Sequence, residues 1–542
     1  MGEVFAAVHE ESGTPVALKV MKGQHSRKPA YLRAFREEVR AMARLDHPGL
    51  IMVLDLGEVD AAAETATQGT LQSGSPWMAM ERASGGSLLR ARKSLPFSTV
   101  KLLLLSLLDA LAHAHARGVV HRDLKPANIL LCDARDLRPG VKITDFGIAH
   151  AMRRQTRAET REAILGTPQY MAPEQCEGRF RDYGPWTDLY GLGCIAFELS
   201  CGQRPFAAPK NDTGRESAVE LVRLHLHEPA PPLETLQPSP PEFADWVHRL
   251  MSKEPAERYR RAADAAWALS FMEPPPEPVV PDPDEPAQRP TVRVPAIAFD
   301  DATELTTPDA QEEEWNPALF STRQSLVLDL GAMRKTGAFS ARQIAFMGAD
   351  SLMQTVTDAS PVAEPAALQV WQAPPLPDSW SRGRTVAPPR LQDAGLRLFG
   401  LRTVPLVGRQ RERDLVWGSL MEVAEEGHAR TVVLRGPAGV GKSRLVEWLA
   451  QRAHELGNAT VLKAVHSPLG GPADGLGRMV AEHLRCHGLA RLGVEERARL
   501  ELAQLGSDEP YELQSLVELV GPDQRENDGD ERVKFSTPMQ RH

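Results

Sequence analysis

Two clusters of residues in this chain could do chemistry. The first runs from His121 to Glu174. His121-Arg122-Asp123-Leu124-Lys125-Pro126-Ala127-Asn128 follows the apolar pair Val119-Val120 and sets a carboxylate, an ammonium and an amide close together. Asp145-Phe146-Gly147 comes 22 residues after Asp123, behind the strand-like Val141-Lys142-Ile143, and Ala172-Pro173-Glu174 closes the loop that follows. A positioned carboxylate can take a proton, and carboxylate and amide oxygens suit hard cations. The second cluster is Gly436-Pro437-Ala438-Gly439-Val440-Gly441-Lys442-Ser443, a full Walker A sequence. It follows the strand-like Thr431 to Arg435 and precedes an apolar-periodic stretch, Arg444 to His454. In that context the glycines and backbone N–H groups form an anion cradle and the helix N-terminus adds positive potential. Gly436 and Gly441 line the cradle, Lys442 reaches the β- and γ-phosphates, and Ser443 would ligate Mg²⁺.

Taken in this order and spacing, the first cluster matches the protein-kinase signature. The sequence resembles the bacterial Hanks-type (eukaryotic-like) serine/threonine protein kinases over about residues 1–272. The resemblance implies transfer of the γ-phosphoryl of ATP to Ser or Thr hydroxyls of protein substrates, autophosphorylation included, in bacterial signal transduction. It also implies roles. Asp123 would orient the hydroxyl and accept its proton, Asn128 and Asp145 would hold Mg²⁺, and Lys125 would touch the γ-phosphate. Lys19, in Val16-Ala17-Leu18-Lys19, would grip the α- and β-phosphates. A carboxylate must fix Lys19: Glu38 is the choice, and Glu37 the alternative about 100° round the helix. Met80 and Glu81 resemble the gatekeeper and hinge, where backbone groups meet adenine, with Gly85-Gly86-Ser87-Leu88 after them. Lys125, two residues past Asp123, and Gly166-Thr167-Pro168-Gln169-Tyr170 resemble the serine/threonine class. Glu174 is expected to pair with Arg258, and Asp188 to brace the catalytic-loop backbone. An Arg beside the catalytic Asp pairs with a phosphorylated activation loop, so Arg122 points to phosphorylation of Thr156, Thr160 or both.

One part of the pattern is broken. The phosphate-covering loop should read G-x-G-x-x-G-x-V, and only Gly2 and Val4 match, at its end. They remain candidate ATP contacts. Either the protein begins upstream, or this is a kinase or pseudokinase without the motif; the intact downstream residues favour the former. The second cluster also has a partial context. Pro405-Leu406-Val407-Gly408-Arg409-Gln410-Arg411-Glu412 resembles the lead-in of AAA-type and STAND regulatory ATPases. No Walker B strand follows Ser443; Val517 to Val520 reads as a helix end. The chain reads as a fragment at both ends, with nucleotide binding expected of this module and hydrolysis left open.

The elements that must position these residues follow from periodicity. Strands are expected at Gly2 to His9, Pro15 to Met21, Leu50 to Leu56 and Trp77 to Glu81, and a helix at Tyr31 to Leu45. Helical sequence dominates after Leu95. Ala61 to Pro76 reads as a surface loop. The fold expectation is an α+β two-lobed protein kinase fold over 1–272, then a disordered Pro-rich linker over 273–400. A partial α/β P-loop NTPase domain takes 401–542. Two apolar islands in the linker, Ser325 to Met333 and Phe339 to Met347, could dock or stay disordered. The linker should leave the two folded parts at no fixed geometry.

The whole chain sets the outer bounds. Its 542 residues allow two or three domains. A net charge of −9 gives no reason to expect nucleic-acid or anionic-membrane partners. Five scattered cysteines form no CxxC pair or zinc spacing, which suits reduced, buried thiols in a cytoplasmic protein. No segment reads as a membrane helix; the richest run, Leu102 to Leu108, reads as core. Self-association is left open. Two other readings stand beside the active kinase: a kinase-dead nucleotide-binding scaffold, and a regulatory ATPase that the kinase part controls.

Overall fold

The computed structural model describes residues 2–21, 29–90, 95–146, 168–207, 214–273, 374–381, 406–466 and 475–520 apart from 505 and 508, with scattered positions at 395–402. They fall into two compact units, Met1–Arg179 with Tyr183–Ala459, and Phe180–Asp182 with Thr460–His542.

The first unit opens with strands whose apolar residues alternate, as a half-buried sheet requires. β1 (Gly2–Val8) and β2 (Pro15–Met21) form a hairpin, and α1 (Pro29–Ala43) follows. Phe35, Val39 and Met42 recur at helical spacing on α1 and are buried. β3 (Val53–Glu58) and β4 (Pro76–Glu81) complete an antiparallel sheet of order β1-β2-β4-β3. Among the described residues β1 is an edge strand, with Val4 and Val8 exposed. The stretch after β3 is not all loop. Asp60 accepts the Ala63 amide at 2.7 Å and caps a short helix, α2 (Ala61–Ala66). The alanine run, with a good cap in front, tips a nominal loop into one turn and a half of helix.

The large lobe is built on two buried helices. α3 (Phe97–Ala116) has 13 buried side chains, from Phe97 to His115. Its length and composition would also let it cross a membrane, contrary to the expectation that no segment would, but here it is a core helix. The hairpin of β5 (Ile129–Cys132) and β6 (Gly140–Ile143) comes next, then α4 (Pro173–Cys176) and α5 (Pro185–Cys201). α5 is buried along nearly its whole length. α6 (Gly214–His227), α7 (Glu242–Leu250) and α8 (Ala262–Ser270) close the lobe, and one apolar core runs from the sheet through to α8.

The first unit continues past the proline-rich stretch. Pro374 to Trp380 lies at its edge: the Trp417 indole N–H donates to the Pro377 carbonyl at 3.1 Å and the Trp380 indole N–H to Asp414 at 2.7 Å. α9 (Gln410–Glu426) and α10 (Lys442–Glu455) follow. Between them, Thr431 to Arg435 was expected to be a strand. It enters no sheet among the described residues, and Val432 and Val433 are exposed. A strand exists by pairing, and no described strand lies against it. The second unit packs α11 (Gly475–His483), α12 (Arg491–Gln504) and α13 (Pro510–Val520) around Ala481, Leu484, Val494, Ala498 and Val517. The run Val517 to Val520 does end a helix.

The two linker islands, Gly147 and the loop with Thr156, Thr160 and Thr167 lie outside the described residues. All five cysteines are free thiols, four of them buried.

Candidate active site

The site forms where α3 hands the chain to the β5–β6 hairpin. After α3 the backbone turns sharply, and Arg122 takes φ +67°, a left-handed conformation unusual for a side chain with a Cβ. Asp188, near the start of α5, holds that turn. It is buried and accepts the His121 amide at 2.8 Å and the Arg122 amide at 2.7 Å, while His115 of α3 sits 2.7 Å from its carboxylate. Burial works to raise the Asp188 pKa, but the bonds from His115 and the Arg122 amide and the nearby His121 outweigh it and hold it below the usual range. His121 is wedged next. Its Nε2 donates to the Thr144 carbonyl at 2.8 Å, so its Nδ1 is free to accept the Asp123 amide at 3.2 Å. Phe146 is buried against the same ring, centroids 4.7 Å apart.

This scaffold presents a polar triad. Lys125 Nζ donates to Asp123 Oδ2 at 2.7 Å. The Asn128 amide nitrogen donates to the Asp123 carbonyl at 2.8 Å and lies 3.3 Å from Oδ2. That leaves the Asn128 amide oxygen available as a hard donor. Across the gap Asp145, at φ +61°, accepts from Lys19 Nζ at 2.7 Å. Lys19 is nearly buried on β2, paired in register with Val4 on one side and Met78 on the other. Two residues with positive φ flank this small space. Each left-handed conformation costs roughly 1–2 kcal/mol, which the buried bonds around Asp188 and Lys19 offset. Asp145 and Asn128 together offer the oxygen set that Mg²⁺ takes beside phosphates.

Residues 1–271, half of the chain, match the protein kinase domain model. The chain belongs to the protein kinase domain family. The chain is 37% identical over 288 residues to serine/threonine-protein kinase PknA of Mycobacterium tuberculosis, taking in 51% of this chain and 60% of PknA. It is 34% identical over 281 residues to the probable serine/threonine-protein kinase PknB of Corynebacterium glutamicum, with 50% and 40% covered. The chain thus spans 40–60% of the length of these relatives. The crystal structure of the Mycobacterium tuberculosis PknI kinase domain is 26% identical, covering 50% of this chain and 90% of that one, with a TM-score of 0.34. Residues 405–534 match the AAA ATPase domain model.

The fold brings Lys19 to Asp145 and, beside them, Lys125 and Asn128 to Asp123. Glu174 and Arg258 form a two-pronged buried pair at 2.9 and 3.0 Å. Glu37 is exposed, while the side chain of Glu38 lies outside the described residues, on α1. Arg122 is exposed and has no ionic partner among the described residues. Gly85 donates its amide to the Leu131 carbonyl at 2.9 Å, and a Cβ there would meet that oxygen at 2.8 Å, so this crossing admits only glycine.

Beyond its place at the candidate hinge, Glu81 anchors a buried charged cluster. Its side chain is buried and accepts the Met52 amide at 2.8 Å and the Arg138 Nε at 3.0 Å, with Lys142 at 3.6 Å. Arg138 also donates to the Leu50 carbonyl at 2.7 Å, and Lys142 to the Pro48 carbonyl at 2.6 Å. Burial pulls the Lys142 pKa down to about 8 against the attraction of Glu81. This cluster ties the end of β4 to the β5–β6 hairpin. Nothing in the local sequence marks Arg138 as its partner, since 57 residues separate the two.

At the second motif, Lys442 bends back to donate to the Gly436 and Pro437 carbonyls at 2.8 and 2.7 Å. Gly441 caps α10 at φ +90°, and Ser443 is exposed on its first turn.

Proposed function

We propose that this chain is a serine/threonine protein kinase that moves the γ-phosphoryl of ATP onto Ser and Thr hydroxyls of proteins, its own included. The juxtaposition of the Asp123–Lys125–Asn128 triad with the Lys19–Asp145 pair carries this reading. A substrate hydroxyl placed against Asp123 gives its proton to the free carboxylate oxygen as the hydroxyl oxygen bonds to the γ-phosphorus. The bond from that phosphorus to the β–γ bridging oxygen breaks in line, and ADP leaves with the electron pair. Lys125, held at Asp123, lies where the transferring phosphoryl gathers charge. Lys19 holds the remaining phosphates. Asp145 and Asn128 would hold Mg²⁺, which would supply neutralisation of phosphate charge. The second motif binds nucleotide phosphate at the N-terminus of α10, through Lys442, Ser443 and the backbone between Gly436 and Gly441.

The test is intact mass after incubation with Mg-ATP, for the parent chain and Asp123→Asn. Added phosphates on the parent alone are expected, with peptide mapping then placing them at Thr156, Thr160 or both. Equal mass gain in both chains would overturn the role of Asp123. No gain in either, with an added generic protein substrate also unmodified, would favour the nucleotide-binding scaffold.

A further inference from the structure

The end of α10 is buried in the kinase lobe, although a long proline-rich stretch precedes it. Glu455 is the last residue of α10 and only 7% exposed. One carboxylate oxygen meets Arg117, at the end of α3, and lies 3.1 Å from Nδ1 of His113. The other faces Arg452 at 3.3 Å. A buried carboxylate with cations on both oxygens is a specific contact, because an unmatched one would be expelled to water. A second observation is independent of charge. Gly457, at φ +75°, turns the chain against the start of α8, and a Cβ there would meet Asp264 Oδ1 at 2.9 Å and Ala263 Cβ at 3.1 Å. The contact is close-packed as well as ionic. Buried partners, which proline content does not reveal, thus seat the end of α10 within the first unit.

The position of this contact matters. Two residues before Arg117, His115 bonds the same Asp188 that holds the His121 and Arg122 amides beside Asp123. At its other end α10 begins with Lys442 and Ser443. A 14-residue helix is about 21 Å of rigid rod. One helix thus carries the phosphate-binding motif at its head and the kinase contact at its tail.

We propose that the α3 face bearing His113 and Arg117 is an intramolecular docking site whose occupant is α10, and that this seat links phosphate binding at Gly436–Ser443 to phosphotransfer at Asp123. The linkage half rests on the kinase reading above; the docking half does not. Linkage of this kind is reciprocal and usually amounts to about 5-fold or more in affinity or rate.

Hydrogen exchange of the full chain tests the docking without any need for activity. Glu455→Ala, and separately Gly457→Val, should speed exchange over residues 110–117 and 450–458 while leaving α5 protected. Two variants guard against a single misfolded one. Unchanged exchange at α3 in both would overturn the docking. The linkage is tested by autophosphorylation rate in a cycle of Lys442→Ala and Glu455→Ala. Lys442→Ala should change the rate about 5-fold or more in the parent and much less once Glu455 is replaced. Equal effects in both backgrounds, or none in the parent, would overturn the linkage and leave the kinase reading intact. Should the parent lack phosphotransfer, ADP-induced change in exchange at residues 110–117 replaces the rate; its absence would count against the linkage.

Discussion

Glu174 and Arg258 are 84 residues apart, and neither side chain is exposed to solvent. Each satisfies the other with two parallel bonds, and Thr187 adds a third to Glu174 at 2.8 Å. Such a pair is weak evidence of net stability, but half of it is worse than none. Glu174→Gln should leave the Arg258 charge buried without a counter-ion and lower stability by about 3–5 kcal/mol. A drop in thermal midpoint of several degrees checks this; a midpoint within a degree of the parent would show that the site relaxes or admits water. The Glu81 cluster obeys the same logic with a titration attached. The Lys142 pKa is lower in the folded chain, about 8, than the 10.5 of an unhindered lysine. Between those values the unfolded chain holds the proton and the folded chain does not. This group's contribution to stability therefore rises as pH goes from about 8 towards 10.5. Lys142→Met should remove that rise in denaturant midpoints taken at pH 7.5 and 9.5.

At the scale of elements, close approach decides more than propensity. α5 and α7 meet at Gly193, where a Cβ would come within 2.8 Å of Met251 and 2.9 Å of Leu250. A glycine in mid-helix costs up to about 1 kcal/mol of helix propensity against alanine. The packing it permits outweighs that here, so Gly193→Ala is expected to lower stability by about 1–3 kcal/mol rather than raise it. A denaturation curve shifted to higher denaturant would mean that the Met251 side chain swings aside. The β5–β6 hairpin makes a similar point. It is only four residues per strand, yet it is fixed by Gly85 against Leu131 and by Arg138 and Lys142 reaching back to the segment before β3. Short strands hold when their neighbours supply the bonds.

For the whole molecule, buried neutral histidines set an acid limit. Burial pushes His113 and His225 down to about 3 and His454 to about 4. In the unfolded chain each would titrate near 6.5. The folded pKa is depressed, so below 6.5 the unfolded state takes up protons that the folded state refuses, and stability falls with pH from there down to about 4 for His454 and about 3 for His113 and His225. At pH 5 the loss is on the order of 2 kcal/mol per histidine. Thermal midpoints at pH 7.5 and 5.0 check it, and an unchanged midpoint would mean that these rings reach water. Two of the three histidines belong to the α3–α10 seat. The same acid range should therefore loosen that seat as well as the lobe.

The sequence by itself determined which residues meet at the core of the first site. Asp123, Lys125, Asn128 and Asp145 sit close along the chain, on a tight turn and a short hairpin, so their spacing largely dictates their meeting. The strands of the small lobe, α1 and the buried character of α3 were also legible, because period-2 and helical alternation are local. Partners separated by many residues were only partly so. Glu174 with Arg258 was reached through family resemblance, whereas Arg138 with Glu81 and Glu455 with Arg117 carry no local mark. Composition over Ala61 to Pro76 suits a loop, and only the Asp60 cap makes α2 a helix. The Thr431–Arg435 segment shows the converse: its residues favour a strand, but a strand needs a neighbour. Tertiary structure alone decided which charges are buried together and that α10 rests on the kinase lobe. Burial depends on what the rest of the chain brings near, and a buried charge must be met by another wherever along the chain that partner lies.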